Sequence, residues 1–144
     1  MVILDTDHLT VIQRQNEPVY SHLRLRLRQA ASDEVGTTIV NIEEQMRGWL
    51  AAIRHSRRLE QEIVAYRQLH MLFVFFSNVP ILDFDELAAV QFSKLRRGRV
   101  RLGTMDLKIA AIALSQGVLL LSRNLTDFRK VPELWVEDWT SPGT

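Results

Sequence analysis

The sequence predicts an α/β fold: a central parallel sheet of four to five short strands flanked by helices on both faces. Three observations predict it. Short apolar or β-branched runs alternate with longer stretches of helical character along the whole chain. The short runs are close to continuously apolar, the pattern of strands buried on both faces. No internal repeat, low-complexity tract or Pro/Gly-rich linker interrupts the alternation, so residues 1–144 read as a single domain.

The elements follow in order. "VIL" (2–4) is the first strand, and it runs straight into Asp5 and Asp7. "HLRLRLR" (22–28) alternates like a strand but lies among good helix formers with no turn signal, and is assigned to a helix. "GTTIV" (36–40) is the second strand, followed by a helix over 41–53 that Asn41 would cap. The stretch 58–76 carries Leu59, Ile63, Tyr66, Leu69 and Phe73 at helical spacing. "VPIL" (79–82) is the third strand, and an amphipathic helix spans 85–97. "TMDLKIAAIALSQG" (104–117) is apolar on nearly every side, which predicts a central buried helix stopped by Gly117. "GVLLLS" (117–122) is the fourth strand and "LWVEDW" (134–139) a possible fifth.

The composition bounds the chemistry. The 144 residues include no cysteine, which excludes a disulfide framework, a thiol nucleophile and a Cys-ligated zinc. That usage is compatible with a cytoplasmic location. A net charge of +1 does not by itself announce a nucleic-acid binder. The apolar start is too short for a signal peptide. The longest apolar run, "LHMLFVFF" (69–76), falls far short of the roughly 20 residues a membrane span needs and reads as a buried helix, with a partner-facing helix as the alternative.

Sites in open α/β sheets form outside the carboxyl ends of the strands. That rule selects Asp5 after the first strand, Glu44 one turn into the helix after the second, Asp106 in the first turn of the buried helix, and Asn124 after the fourth strand, with Asp127 one turn on. Oxygen ligands without His or Cys suit Mg²⁺ or Mn²⁺. Such a cation relieves carboxylate repulsion, activates water and stabilises charge at a phosphate. Each residue also has a plainer reading. Asp5 could end a strand, Asn41 and Glu44 fit a capping box, and Thr104 with Asp106 fits a capped helix start. The four histidines (His8, His22, His55, His70) show no metal-ligand spacing and read as packing or solvent-facing. "DTDHLT" is similar to the DxDx[TV] signature of haloacid-dehalogenase-type phosphatases, which would make Asp5 a nucleophile. The match fails at Leu9, and no acidic pair follows the late strand. No GxGxxG, Walker or GxSxG motif is present.

Taken together, four blocks resemble the PIN-domain ribonucleases, and within them the VapC-type toxins of bacterial toxin–antitoxin pairs. "LDTDHLT" is similar to the family's "LDTN" block, "IVNIEEQMRG" to "ITxxELxxG", "GTMDLKIAAIAL" to "GxxDxxIAAxAL", and "LLSRNLTDFRKVPEL" to "LVTxNxxxFxxVPGL". The closing "VEDW" also matches. The step from Glu44 to Gly48 selects Glu44 over Glu43. Two positions depart: Asp7 stands where Asn is common, and Asn124 fills a position that takes Asp or Asn.

The resemblance implies a PIN-like fold and Mg²⁺-dependent cleavage of single-stranded or loop RNA, with Mn²⁺ as a substitute. It places Asp5 and Asp106 on the metal, Glu44 either on the metal or on the attacking water, and Asn124 at the rim. Thr6, Asp7, Ser122 and Asp127 are candidates for supporting them. One or two metal ions remain open. The resemblance also implies a homodimer and a small inhibitory antitoxin, with the 69–76 stretch available for either contact. The rivals are a phosphatase using Asp5 and a PIN fold that binds RNA or a partner without cleaving. For phosphate contact the basic tracts are Arg24, Arg26 and Arg28; Arg47, Arg54, Arg57 and Arg58; Lys94, Arg96, Arg97, Arg99 and Arg101; and Arg123, Arg129 and Lys130 beside the last motif. "KLRRGRVR" immediately precedes the Asp106 block and is the favoured tract. Trp49 is a candidate for base stacking.

Overall fold

The computed structural model describes residues 1–30 and 34–142. Among these, five strands form one parallel sheet: β1 (Val2–Leu4), β2 (Val35–Thr38), β3 (Ile81–Leu82), β4 (Leu119–Leu121) and β5 (Val136–Glu137). Their order is β3-β2-β1-β4-β5. The helices are α1 (Thr6–Arg14), α2 (Val19–Gln29), α3 (Ile39–His55), α4 (Leu59–Phe76), α5 (Glu86–Arg97), α6 (Thr104–Gln116) and α7 (Leu125–Phe128).

The apolar runs of β1 and β4, and β2 beyond Val35, are buried as predicted, whereas the edge strands β3 and β5 are only partly covered, with Ile81 exposed. Successive strand residues point to opposite sides. Val2, Leu4, Leu119 and Leu121 therefore pack with Leu9 and Val11 of α1, Leu23 of α2, and Leu72 and Phe76 of α4. Ile3 and Leu120 pack on the other side with α5, α6 and Phe128. Helix α6 is buried at Leu107, Ile109, Ala110, Ala111, Ile112 and Ala113, and Gly117 ends it in the left-handed conformation. Gly36 has a steric reason: a Cβ there would lie 2.6 Å from the carbonyl of Pro80, the residue that leads into β3 where it seats against β2.

Several boundaries differ from the sequence reading. β2 ends at Thr38, not at residue 40, and α3 already begins at Ile39. Val40 is β-branched, but it is buried on the helix and not on the strand. Helix α1 was not anticipated. Asp5 caps it by accepting a hydrogen bond from the Thr6 amide, so the residue that ends β1 also starts α1. The alternating "HLRLRLR" segment is helical within α2.

The stripe expected on 58–76 is displaced. Leu59, Ile63, Tyr66 and Phe73 are exposed, and the buried positions are Ala65, Leu72 and Phe76. Leu69 is partly buried against the same cluster, so the inward face follows i, i+4, i+7 and i+11. The helix is apolar on both sides, and periodicity could not choose between them. The 69–76 run is consequently a half-buried helix, with Met71, Phe73 and Val74 facing outward. No helix among the described residues is long and apolar enough to cross a membrane.

Candidate functional site

The chain crosses from β2 on one side of β1 to β4 on the other, and the carboxyl ends of these three strands meet at that switch point. Asp5 follows β1, Thr38 ends β2 and Ser122 follows β4. Asp5 is 7% exposed, and three neighbours donate to its carboxylate. Oδ1 accepts from the Thr6 amide at 2.9 Å and from Asn41 Nδ2 at 2.8 Å, and Oδ2 accepts from Ser122 Oγ at 2.7 Å. Burial, then the Asp7 charge, nevertheless raise its pKa above the ordinary carboxylate range.

Asn41 is the residue that the sequence reading misassigned. It is not the cap of α3. Thr38 is, accepting from the Asn41 amide at 3.1 Å. The Asn41 side chain is fully buried, accepts from Thr38 Oγ1 at 2.7 Å, and donates to Asp5 and to Thr6 Oγ1. It therefore ties the end of β2 to the end of β1. The signal was its spacing: Asn41 and Glu44 stand i, i+3 on one helix face. The capping box expected for this pair is overturned, because both residues lie inside the helix.

Glu44 accepts from Thr6 Oγ1 at 3.2 Å. Burial, together with the charges of Asp5, Asp106 and Glu43, pushes its pKa up to about 7 against the pull of the Thr6 hydrogen bond. Asp106 sits at the start of α6, whose cap is Gly103 without a side-chain bond, so Thr104 does not cap it as expected. Burial, then Asp5, Asp127 and Asp7, raise Asp106, and no hydrogen bond offsets them. The charges that raise Asp106 are carboxylates.

The fourth block completes the rim. Asp7 accepts from the Arg123 amide at 3.0 Å and contacts His8 Nδ1 at 2.7 Å. Ser122 Oγ also accepts from the Asn124 amide at 3.0 Å. Asn124 Nδ2 donates to Asp127 at 3.1 Å, and Lys130 donates to the same carboxylate, holding Asp127 below the usual range. His8 is buried, as a packing role required. It also receives the Trp139 amide on Nε2 at 3.2 Å, which ties the segment after β5 to the site.

The structure thus brings Asp5, Thr6, Asp7, Glu44, Asp106, Ser122, Asn124 and Asp127 to one end of the sheet and adds Thr38 and Asn41 to them. Among the described residues no group of three or more His, Asp or Glu side chains is placed closely enough to hold a metal ion as it stands. The donor set is still all oxygen, and three of its carboxyls are raised by burial and mutual repulsion, conditions that a hard divalent cation relieves. Lys94, Arg96 and Arg97 close α5, and Arg99 and Arg101 lie on the link to α6. All five are exposed, as is Arg123. Arg26 is committed elsewhere, over the Trp139 ring, and Arg47 pairs with Glu43.

The PIN domain family model matches residues 2–134. The tRNA(fMet)-specific endonuclease VapC of Salmonella typhimurium is 32% identical over 84 residues, covering 56% of this chain and 64% of that protein. Ribonuclease VapC2 of Haemophilus influenzae is 33% identical over 78 residues, covering 51% and 58%. The matched segments therefore span less than two thirds of these curated relatives. Among solved structures, VapBC-1 from nontypeable Haemophilus influenzae superposes with a TM-score of 0.74 at 24% identity, covering 98% of this chain and 100% of that one. VapBC from Salmonella typhimurium bound to DNA gives 0.70 at 26% identity, covering 96% and 97%.

Proposed function

The chain belongs to the PIN domain family, and on that footing we propose that it is a Mg²⁺-dependent endoribonuclease acting on single-stranded or loop RNA, the toxin of a toxin–antitoxin pair. The observation that carries the reading is the convergence of Asp5, Glu44 and Asp106 at the switch point, where neighbouring carboxylates raise Asp106. The names of the Salmonella and Haemophilus relatives support it.

Asp5 and Asp106 would hold the metal, with Glu44 beside them. Bound there, Mg²⁺ supplies a Lewis acid and a nucleophilic water at neutral pH. Asn41, Ser122 and the Thr6 amide orient the Asp5 carboxylate in advance. Glu44, held by the Thr6 hydroxyl, would share the metal or orient the attacking water. Asn124 and Asp127 form the rim. Lys94, Arg96, Arg97, Arg99, Arg101 and Arg123 would supply phosphate contacts. The exposed apolar residues of α4, Phe73 and Val74 among them, suit a second copy of the chain or the antitoxin.

The test is incubation of the purified protein with mixed RNA. Cleavage should require Mg²⁺, stop with chelator and return with Mn²⁺. Undiminished cleavage in excess chelator would reject the metal-dependent reading.

A further inference from the structure

Thr6, which bonds Glu44, also forms a wall of an open cleft of about 550 Å³ that continues between α1, α3 and α4. Four features of this cleft fit a nucleobase. Gln13 and Gln45 bond each other in both directions, at 3.0 and 2.8 Å. The pairing fixes two amides side by side, and each keeps an N–H and a lone pair for the kind of edge that a base presents. Trp49 lines the same cleft, partly buried against the core, and is the aromatic ring available there for stacking. Arg14 lines it as an exposed cation at the end of α1.

Gly48 is the fourth feature. It lies inside the 17-residue α3, where glycine is the poorest choice after proline. Its φ is not positive, and a Cβ on it would meet nothing within 4 Å. Neither backbone conformation nor packing against the protein accounts for it. What it leaves is room on the cleft wall, one helical turn beyond Glu44 and on the same face.

We propose that this cleft is a base-binding subsite, which seats one unstacked nucleobase of single-stranded RNA beside the carboxylate end of the sheet. The cleft thereby favours certain positions of the RNA for cleavage. That consequence rests on the nuclease reading, whereas binding itself does not. A helix from a protein partner is the competing occupant. The neighbouring groove at Ile39, Ile42, Met46, Phe73 and Phe76 suits it better, because its lining is nearly all apolar and lacks the amide pair and the indole.

The test uses a labelled, mixed-sequence single-stranded RNA of about ten nucleotides, bound in chelator and read by fluorescence anisotropy. Gly48→Leu fills the cleft and Trp49→Ala removes the stacking face. Each should weaken binding about tenfold or more, the scale of losing one stacked base. Gly48→Ala should raise the melting temperature while weakening binding less, which separates occupancy of the cleft from folding. If the wild type cleaves RNA and all three variants bind and cut with unchanged affinity and positions, the subsite is refuted and the nuclease stands. Wild-type protein whose RNA binding depends on the cleft but that never cleaves in Mg²⁺ leaves the subsite and removes the nuclease. If Gly48→Leu keeps its RNA affinity but loses a co-expressed antitoxin, the cleft belongs to a protein partner and the proposal is overturned.

Discussion

Replacing Glu44 by Gln separates a residue that serves the fold from one that serves chemistry at the fold's expense. The Gln side chain keeps the shape and can still accept the hydrogen bond from Thr6. It removes one carboxylate facing Asp5 and Asp106. In the metal-free folded protein Glu44 keeps its proton to about pH 7, whereas the unfolded chain releases it near 4.5. Between these values the folded state binds more protons, so this group's contribution to stability falls as pH rises through the window. It is fully present below about 4.5 and lost above about 7. A shift of that size corresponds to about 3 kcal/mol in a fully shielded site, and solvent at this half-buried side chain reduces it to about 1–2 kcal/mol. In chelator, Glu44→Gln should therefore match the wild type near pH 4.5. Near pH 8 it should exceed the wild type by about 1–2 kcal/mol, or about 3–8 °C in melting temperature. With Mg²⁺ the order should narrow or reverse, because the wild type gains more from the ion. RNA cleavage should fall about 100-fold or more. Melts across this pH range, with and without Mg²⁺, run beside a cleavage assay, decide it. A variant less stable than wild type at every pH in chelator, or one that cleaves nearly normally, would refute the reasoning.

Ser122→Ala and Asn41→Ala each remove a buried hydrogen bond to the Asp5 carboxylate, so each should cost about 1–3 kcal/mol in urea unfolding and also slow cleavage. Neutralising Arg97, Arg99 and Arg101, all exposed, should change stability by no more than about 0.5 kcal/mol. It should flatten the salt dependence of RNA affinity by about 0.7 for each phosphate no longer neutralised, and an unchanged slope would move the RNA path elsewhere. Expression of the chain alone should arrest bacterial growth, and a co-expressed small antitoxin should relieve it; harmless expression of soluble, active protein would contradict the toxin role.

The sheet and its two helical layers were legible because the strands are short, apolar and separated by long helices. The same rule that places sites at strand ends selected Asp5, Glu44, Asp106 and Asn124, and these residues do gather at one end of the sheet. What stayed hidden was settled by tertiary contacts. Asn41 is a good cap by type, and only the approach of β1 to β2 makes it the holder of Asp5. Val40 suits a strand or a buried helix position equally. The apolar stripe of α4 could not be phased, because the helix is apolar on two sides and its packing on α3 and the core decides that Ala65, Leu72 and Phe76 are buried. Helix α1 was obscured because Asp5 both ends a strand and caps a helix. The Gln13–Gln45 pair joins residues 32 positions apart, a distance over which periodicity carries no information.

The most direct test of the central claim is cleavage of an end-labelled single-stranded RNA by wild type and Asp106→Asn, purified in parallel and shown to be equally folded. Among the described residues no hydrogen bond holds the Asp106 carboxylate, and the charges that raise it are carboxylates, so the substitution relieves repulsion without breaking such a bond. The account predicts discrete Mg²⁺-dependent products from the wild type and at least ~100-fold slower cleavage by the variant. Equal cleavage by both proteins, or none by the wild type with Mg²⁺ or Mn²⁺, would contradict it.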